Sequence, residues 1–158
     1  GWSVNVSLGW LDAEFVEFVG VDPVNVPQGR VPPGEPAPVT QNFSGNSLTN
    51  SPDWSGSLSV QYTFALQQQG TLTARAQTHW QDDWYLRPYN LPEDRQNSYF
   101  TTEVRLIWRS PKERWSAEGF VTNISDEQFA TSVEVTNGGF FGNINSPRMW
   151  GVRVGFNY

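Results

Sequence analysis

The stretch Arg148 to Tyr158, R-M-W-G-V-R-V-G-F-N-Y, constrains the chain most. Trp150, Val152, Val154, Phe156 and Tyr158 occupy every second position, and Gly151, Arg153, Gly155 and Asn157 lie between them. A strand sends alternate side chains to opposite faces, so one face here is apolar and the other polar or bare. The alternation runs to the last residue, and an apolar strand face of this kind needs cover. In a bilayer, lipid is the cover. Membrane-spanning barrels alternate apolar-out and polar-in, with aromatic rings at the two interfaces.

The same period recurs along the chain. Trp2, Val4, Val6, Leu8 and Trp10 alternate with Ser3, Asn5, Ser7 and Gly9, and this strand is expected to run on through Leu11–Phe18. Trp54 to Phe64 and Leu72 to Trp80 carry apolar residues on even positions. So does a strand from about Asn97 to Arg109, whereas Trp115, Ala117, Gly119 and Val121 are odd. The six strands are separated alternately by long and short connections. The long ones cover about 19–52, 82–97 and 127–147, and the short ones about 65–70 and 110–114. The density of Pro between Val19 and Gln41 excludes helix and central strand, so a long mobile loop is expected there. The reading is all-β: an antiparallel up-and-down transmembrane β-barrel segment, with the long loops extracellular and the short turns periplasmic.

Three motifs narrow it. S-P-R-M-W-G-V-R-V-G-F-N-Y (Ser146 to Tyr158) resembles the closing strand of TonB-dependent outer-membrane receptors. Ser44-Gly45-Asn46, Leu48 and Pro52-Asp53-Trp54 resemble the segment that re-enters the membrane in that family. Asn123-Ile124-Ser125-Asp126-Glu127 resembles its Asn-Leu-Thr-Asp-Glu, with two conservative departures. The resemblance implies a barrel of about 22 strands, of which six strands are the C-terminal part spanning residues 1–158. The remainder, with its plug domain and TonB-contacting segment, is expected in a missing N-terminal part. The opening Gly1 in place of Met agrees with a piece of a longer precursor or a processed chain. The resemblance also implies energy-coupled uptake of a scarce small-molecule solute across the cell outer membrane. Siderophore, haem, cobalamin, oligosaccharide and metal chelate all stay open. The terminal strand, Trp150, Val152, Val154, Phe156 and Tyr158, would be the signal read by the barrel-assembly machinery.

Composition excludes several classes. With no Cys there are no disulfides and no thiol chemistry. A net charge of −6 argues against a nucleic-acid partner. No apolar run of about 18 residues is present, so no helix of the sequence would cross a membrane. Aromatics reach 15% while all hydrophobics are only 37%, which suits a wall with one wet face.

The inward, lumen-facing polar set is expected to be Arg75, His79, Glu103, Arg105, Glu118 and Arg153, lining the wall and meeting the plug. His79 beside Asp82 and Asp83 invites a hydrolytic or metal reading. A lone His does not build a multi-His site, and no nucleophile elbow is present, so no catalysis, cofactor or metal is assigned. The acidic pair has no EF-hand context and is read as a solvated rim. The loop aromatics Trp84, Tyr85, Tyr89, Phe140 and Phe141 are candidates for solute contact, with loop packing as the plainer role. The alternative is a soluble all-β carbohydrate-binding module, which requires the apolar faces to meet across a two-sheet core.

Overall fold

A computed structural model describes residues 1–22, 34, 40–136 and 139–158. The rest of the Pro-rich segment, where the mobile loop was expected, lies outside the described residues. One antiparallel sheet dominates. It is built from β1 (Trp2–Trp10), β4 (Trp54–Ala65), β5 (Thr71–Gln81), β8 (Tyr99–Arg109), β9 (Trp115–Thr122) and β12 (Met149–Phe156), each hydrogen-bonded to the next in that order. Three two-stranded ribbons lie in the long connections: β2 (Val19–Gly20) with β3 (Gln41–Asn42), β6 (Trp84–Tyr85) with β7 (Arg95–Gln96), and β10 (Ala130–Thr136) with β11 (Gly139–Ile144). Among the described residues the only helical turns are two short 3₁₀ segments, Gln67–Gln69 and Pro92–Asp94.

The register assigns every side chain to a face, because directly opposed residues share one. Val4 pairs with Val60, Val60 with Ala76, Ala76 with Val104, Val104 with Val121, and Val121 with Trp150. That line crosses all six strands and is wholly apolar. The adjacent line, Ser3, Gln61, Arg75, Arg105, Phe120 and Gly151, belongs to the other face. The apolar face is bare. Val6 is 74% exposed and Val152 73%, and Phe43 and Trp84 are the buried apolar residues of the described chain. Both of those lie in the long connections rather than in the sheet. Among the described residues no second sheet is stacked on the six strands, and they do not form the two-sheet core required of a soluble sandwich module.

Aromatic rings border the apolar face at both ends. Trp10 pairs with Trp54. Trp80 pairs with Phe100, two residues further along the ladder. Trp150 is level with Val60, six residues from Trp54. At the other end Trp2 pairs with Tyr62, their rings 4.7 Å apart, and Phe64 is level with Trp108. Trp115 pairs with Phe156 one step beyond, and Tyr158 is two residues past that. Both rows therefore descend by six residues over five interstrand steps. At roughly 3.3 Å per residue and 4.8 Å between strands, that slope is a strand lean of about 40°. Spanning barrels lean their strands by about 35–45°. From Trp2 to Trp10 the depth at this lean is about 20 Å between α-carbons, a little under the ~25 Å apolar band of such barrels.

Local chemistry ends the strands. At the first short turn Leu66 N donates to Gly70 O (2.8 Å), and Gly70 has φ +94°. A Cβ there would stand 1.9 Å from the Arg109 carbonyl, so both the dihedral and the space require glycine. Trp108 Nε1 donates to Gln69 O (2.9 Å), tying the aromatic row to the turn. At the second, Ser110 Oγ accepts from Trp115 N (3.0 Å). β1 differs from expectation in stopping at Trp10. Beyond it the chain keeps single bonds, Leu11 N to Asp53 O and Leu48 N to Ala13 O, with an isolated Glu14–Ser47 bridge. The alternation breaks where Trp10 and Leu11 adjoin, and the opposing Gly45 at φ +86° and Asn50 at φ +55° cannot extend a ladder.

Val104, at the middle of the apolar face, gives a direct test. V104R is expected to cost about 2–4 kcal/mol in the bilayer and to lower the yield of folded protein in outer membranes. S3R, on the opposite face, should leave both near wild type. The check is urea titration of protein reconstituted in vesicles, and equal midpoints for the two variants would count against a lipid-covered face.

Candidate functional site

The polar face of β5, β8, β9 and β12 holds an ion-pair chain. Glu103 and Arg105 are two apart on β8 and so share a face, and Glu118 on β9 is the ladder partner of Arg153 on β12. Arg105 donates to Glu118 at 2.7 Å and to Glu103 at 3.1 Å, and Arg153 reaches Glu118 at 3.3 Å. Glu118 thus bridges two guanidinium groups across three strands, and its side chain is only 14% exposed. Arg105 also lies 5.7 Å from the Phe120 ring centre, its direct ladder partner. On β5, Arg75 donates to Gln77, and the Gln77 amide donates to His79 Nε2 at 2.8 Å. His79 therefore faces an amide rather than an acid. Among the described residues no group of three or more His, Asp or Glu is placed to hold a metal.

Towards the long connections the polar face forms a recess of about 660 Å³ lined by Ser57, His79, Gln81, Tyr99, Thr101 and Phe129. Its upper wall is aromatic, because Tyr99 and Phe129 stack at 3.8 Å with rings nearly parallel. Trp84 packs edge-on against Tyr99 and is 8% exposed. Tyr89 sits among Phe18 and Phe43, at 6.1 and 5.1 Å. Two of the five candidate loop aromatics are thus engaged in packing, while Phe140 and Phe141 on β11 are 51% and 57% exposed.

The connections are joined to one another. Asn90 Oδ1 accepts from Ser47 N (2.7 Å), Asn46 Nδ2 donates to Pro88 O (2.9 Å), and Gln96 Oε1 accepts from Ala130 N (2.8 Å). At their centre is a buried ion pair that sequence reasoning missed: Arg87, 6% exposed, with Asp94, 0% exposed. The Arg87 guanidinium is 5.4 Å from the Phe140 ring centre and 5.6 Å from that of Tyr89. Burial pushes the Asp94 carboxyl above its ordinary value, against the pull of Arg87, so much of their attraction offsets lost hydration. Asp83 is the opposite case. Its hydrogen bond from Arg95 (2.8 Å) outweighs desolvation and holds its carboxyl below 3.8.

The motifs noted in the sequence have physical roles. Asn123, at φ +49°, closes a loop by donating from Nδ2 to Glu127 O (2.9 Å) and accepting at Oδ1 from Glu127 N (2.9 Å). Asp126 then accepts from Arg148 N (2.7 Å), and Arg148 Nη1 donates to Ile124 O (3.3 Å). The Asn-x-x-Asp-Glu and Pro-Arg motifs are therefore two halves of one lock at the entry to β12. Its edge strand presents Trp150, Val152, Val154 and Phe156 on the exposed apolar face, with Tyr158 just beyond.

Among solved structures, the chain is similar to the ferric yersiniabactin uptake receptor FyuA from Yersinia pestis, with a TM-score of 0.64 at 20% identity over 73% of this chain. The fold is that of an antiparallel β-barrel wall. The chain spans 18% of the length of that receptor. No protein-family model matches the sequence, and no curated protein does.

Two measurements test the polar network. E118Q removes the charge that joins Arg105 to Arg153 and is expected to lower unfolding stability by about 1–2 kcal/mol, read by urea titration in vesicles. For Asp83 the sign follows from its depressed value: its contribution is present above the unfolded value of 3.8 and is lost as pH falls through the lower folded value. Trp84 fluorescence, one residue away, should stay constant from pH 7 to about 4 and change only below. In R95Q the change should begin at higher pH.

Proposed function

We propose that the chain is the C-terminal barrel portion of a TonB-dependent receptor of the cell outer membrane, which takes up a scarce solute using energy delivered through TonB. The observation that carries this reading is the exposed apolar face between two aromatic rows of equal slope, in a sheet with the fold of a receptor barrel. Lipid covers that face, and the polar face with Arg75, His79, Glu103, Arg105, Glu118 and Arg153 lines the lumen. The long connections lie outside the cell and the short turns in the periplasm. Both sheet edges are completed by further strands, since unpaired edge groups in hydrocarbon cost several kcal/mol each, on the order of a lost hydrogen bond apiece. The plug and the TonB-contacting segment belong to the part of the receptor that precedes these strands. The strand that carries Trp150, Val152, Val154 and Phe156, with Tyr158 just beyond, is the address for the barrel-assembly machinery.

The solute is a siderophore, haem, cobalamin or an oligosaccharide, and the likeness to FyuA, a ferric yersiniabactin uptake receptor, favours the first. Phe140 and Phe141, together with Tyr85, are the loop aromatics best placed to touch it. The wall supplies position and electrostatics and does no bond chemistry. The test uses the full-length gene product in a Gram-negative host. Heat-modifiable protein should appear in the outer-membrane fraction, and growth on the solute should require both this gene and tonB. Recovery of the full-length protein in the soluble fraction would overturn the reading.

A further inference from the structure

The polar face is not electrically closed. Arg75 and Arg105 are direct partners in the β5–β8 ladder, and like charges so opposed repel. Arg105 is compensated by Glu103 and Glu118, and Glu118 also takes Arg153. Arg109, at the short-turn rim, adds a further cation on the same face. Arg75 has the Gln77 amide as its acceptor, and its Nε is buried with no hydrogen-bond partner among the described residues. Gln77 is itself committed to His79. The flanking strands bring no anion, since β4 and β1 present Ser57, Ser59, Gln61, Ser3, Asn5 and Ser7 on this face. Apart from Gln61, the direct ladder partner of Arg75, these side chains are short, so the wall beyond it is a shallow bank that a second backbone can approach closely. Arg75 also stands well below the long connections, one residue along the ladder from the Trp2–Tyr62 pair that begins the short-turn aromatic row. At that depth the lumen of a large transporter barrel is filled by folded polypeptide.

We propose that Arg75 is the docking cation for an Asp or Glu carboxylate carried by the plug segment of the same protein. This rests on the receptor reading above and deepens it. The carboxylate takes the Nη N–H groups that Gln77 leaves free, screens Arg75 from Arg105, and seats the plug against the serine bank. A guanidinium–carboxylate pair of this kind is bidentate and directional, so it fixes orientation as well as contact.

The test uses the full-length protein in outer membranes. A photoreactive side chain installed at position 75 should cross-link to a peptide outside residues 1–158 that contains an acidic residue. In planar bilayers, urea should open plug-dependent conductance at a concentration about 1 M lower for R75E than for wild type. R75K should stay near wild type, and reversing the charge of the cross-linked acid should restore R75E. Heat-modifiability of each variant reports the barrel itself; if R75E does not assemble, R75Q and the cross-link carry the test. Cross-links confined to the barrel loops, or equal urea thresholds for R75E, R75Q and wild type in assembled barrels, overturn the proposal. So does a change in solute affinity with the urea threshold unmoved, which would make Arg75 a solute contact. Loss of outer-membrane localisation by the wild type would instead bring down the receptor reading itself.

Discussion

The hydrogen-bond ladder between adjacent strands is what everything else hangs on. In hydrocarbon a backbone N–H without a strand partner has no water to turn to, so the ladder must be continuous across the spanning sheet. Continuity fixes register, and register fixes which side chains meet. The all-apolar line from Val4 to Trp150 and the line from Ser3 to Gly151 beside it are the same ladder seen one residue apart. A slip of one residue in β5, β8 or β9 would carry Arg75 or Glu118 onto the apolar face or Val104 onto the polar one. The cost of such a slip is what makes a thin, single-layer sheet specify one structure without a core of its own.

Much of this was legible in the sequence because alternation is a local signal with a period of two. The faces could be read from Val6, Leu58 and Val104 alone, and the change from even to odd positions at Trp115 agrees with the observed pairing of Trp108 with Ala117. Depth was less legible. Trp150 was expected in one row with Trp10, Trp54 and Trp80, but the six-residue descent that joins them appears only when the ladder is followed strand by strand. The end of β1 was overrun because Leu11–Phe18 keeps an apolar look while its partner segment turns through Gly45 and Asn50. The β10–β11 ribbon has a sequence signal of its own: Val133 and Val135 alternate just before an Asn-Gly pair, a dipeptide that favours tight hairpins.

The polar site was partly visible. Residue types and faces were readable, but which acid serves which base was not. Glu103 lies opposite Gln77 and yet bonds Arg105, because rotamers rather than register choose among neighbours within reach. The Arg87–Asp94 pair carried no signal at all. Its two members flank a loop with prolines, and they are buried only where that loop folds back, with its own Tyr89 and the distant Phe140 beside the Arg87 guanidinium.

The two short turns impose an arithmetic on how such a chain can change. Between the paired residues Ala65 and Thr71 the chain crosses five positions, and between Arg109 and Ser116 it crosses six. Those two counts are why β5 keeps the parity of β4 while β9 reverses that of β8. With the turn geometry held fixed, gain or loss of a single residue turns one arm of the hairpin inside out. Gain or loss of two keeps the faces but shifts one arm by a full pair, breaking the slope of both aromatic rows. The long connections carry no such rule, since their strands are aligned by neighbours rather than by the link itself. Length variation is therefore accommodated more readily at one rim of the sheet, the rim of the long connections.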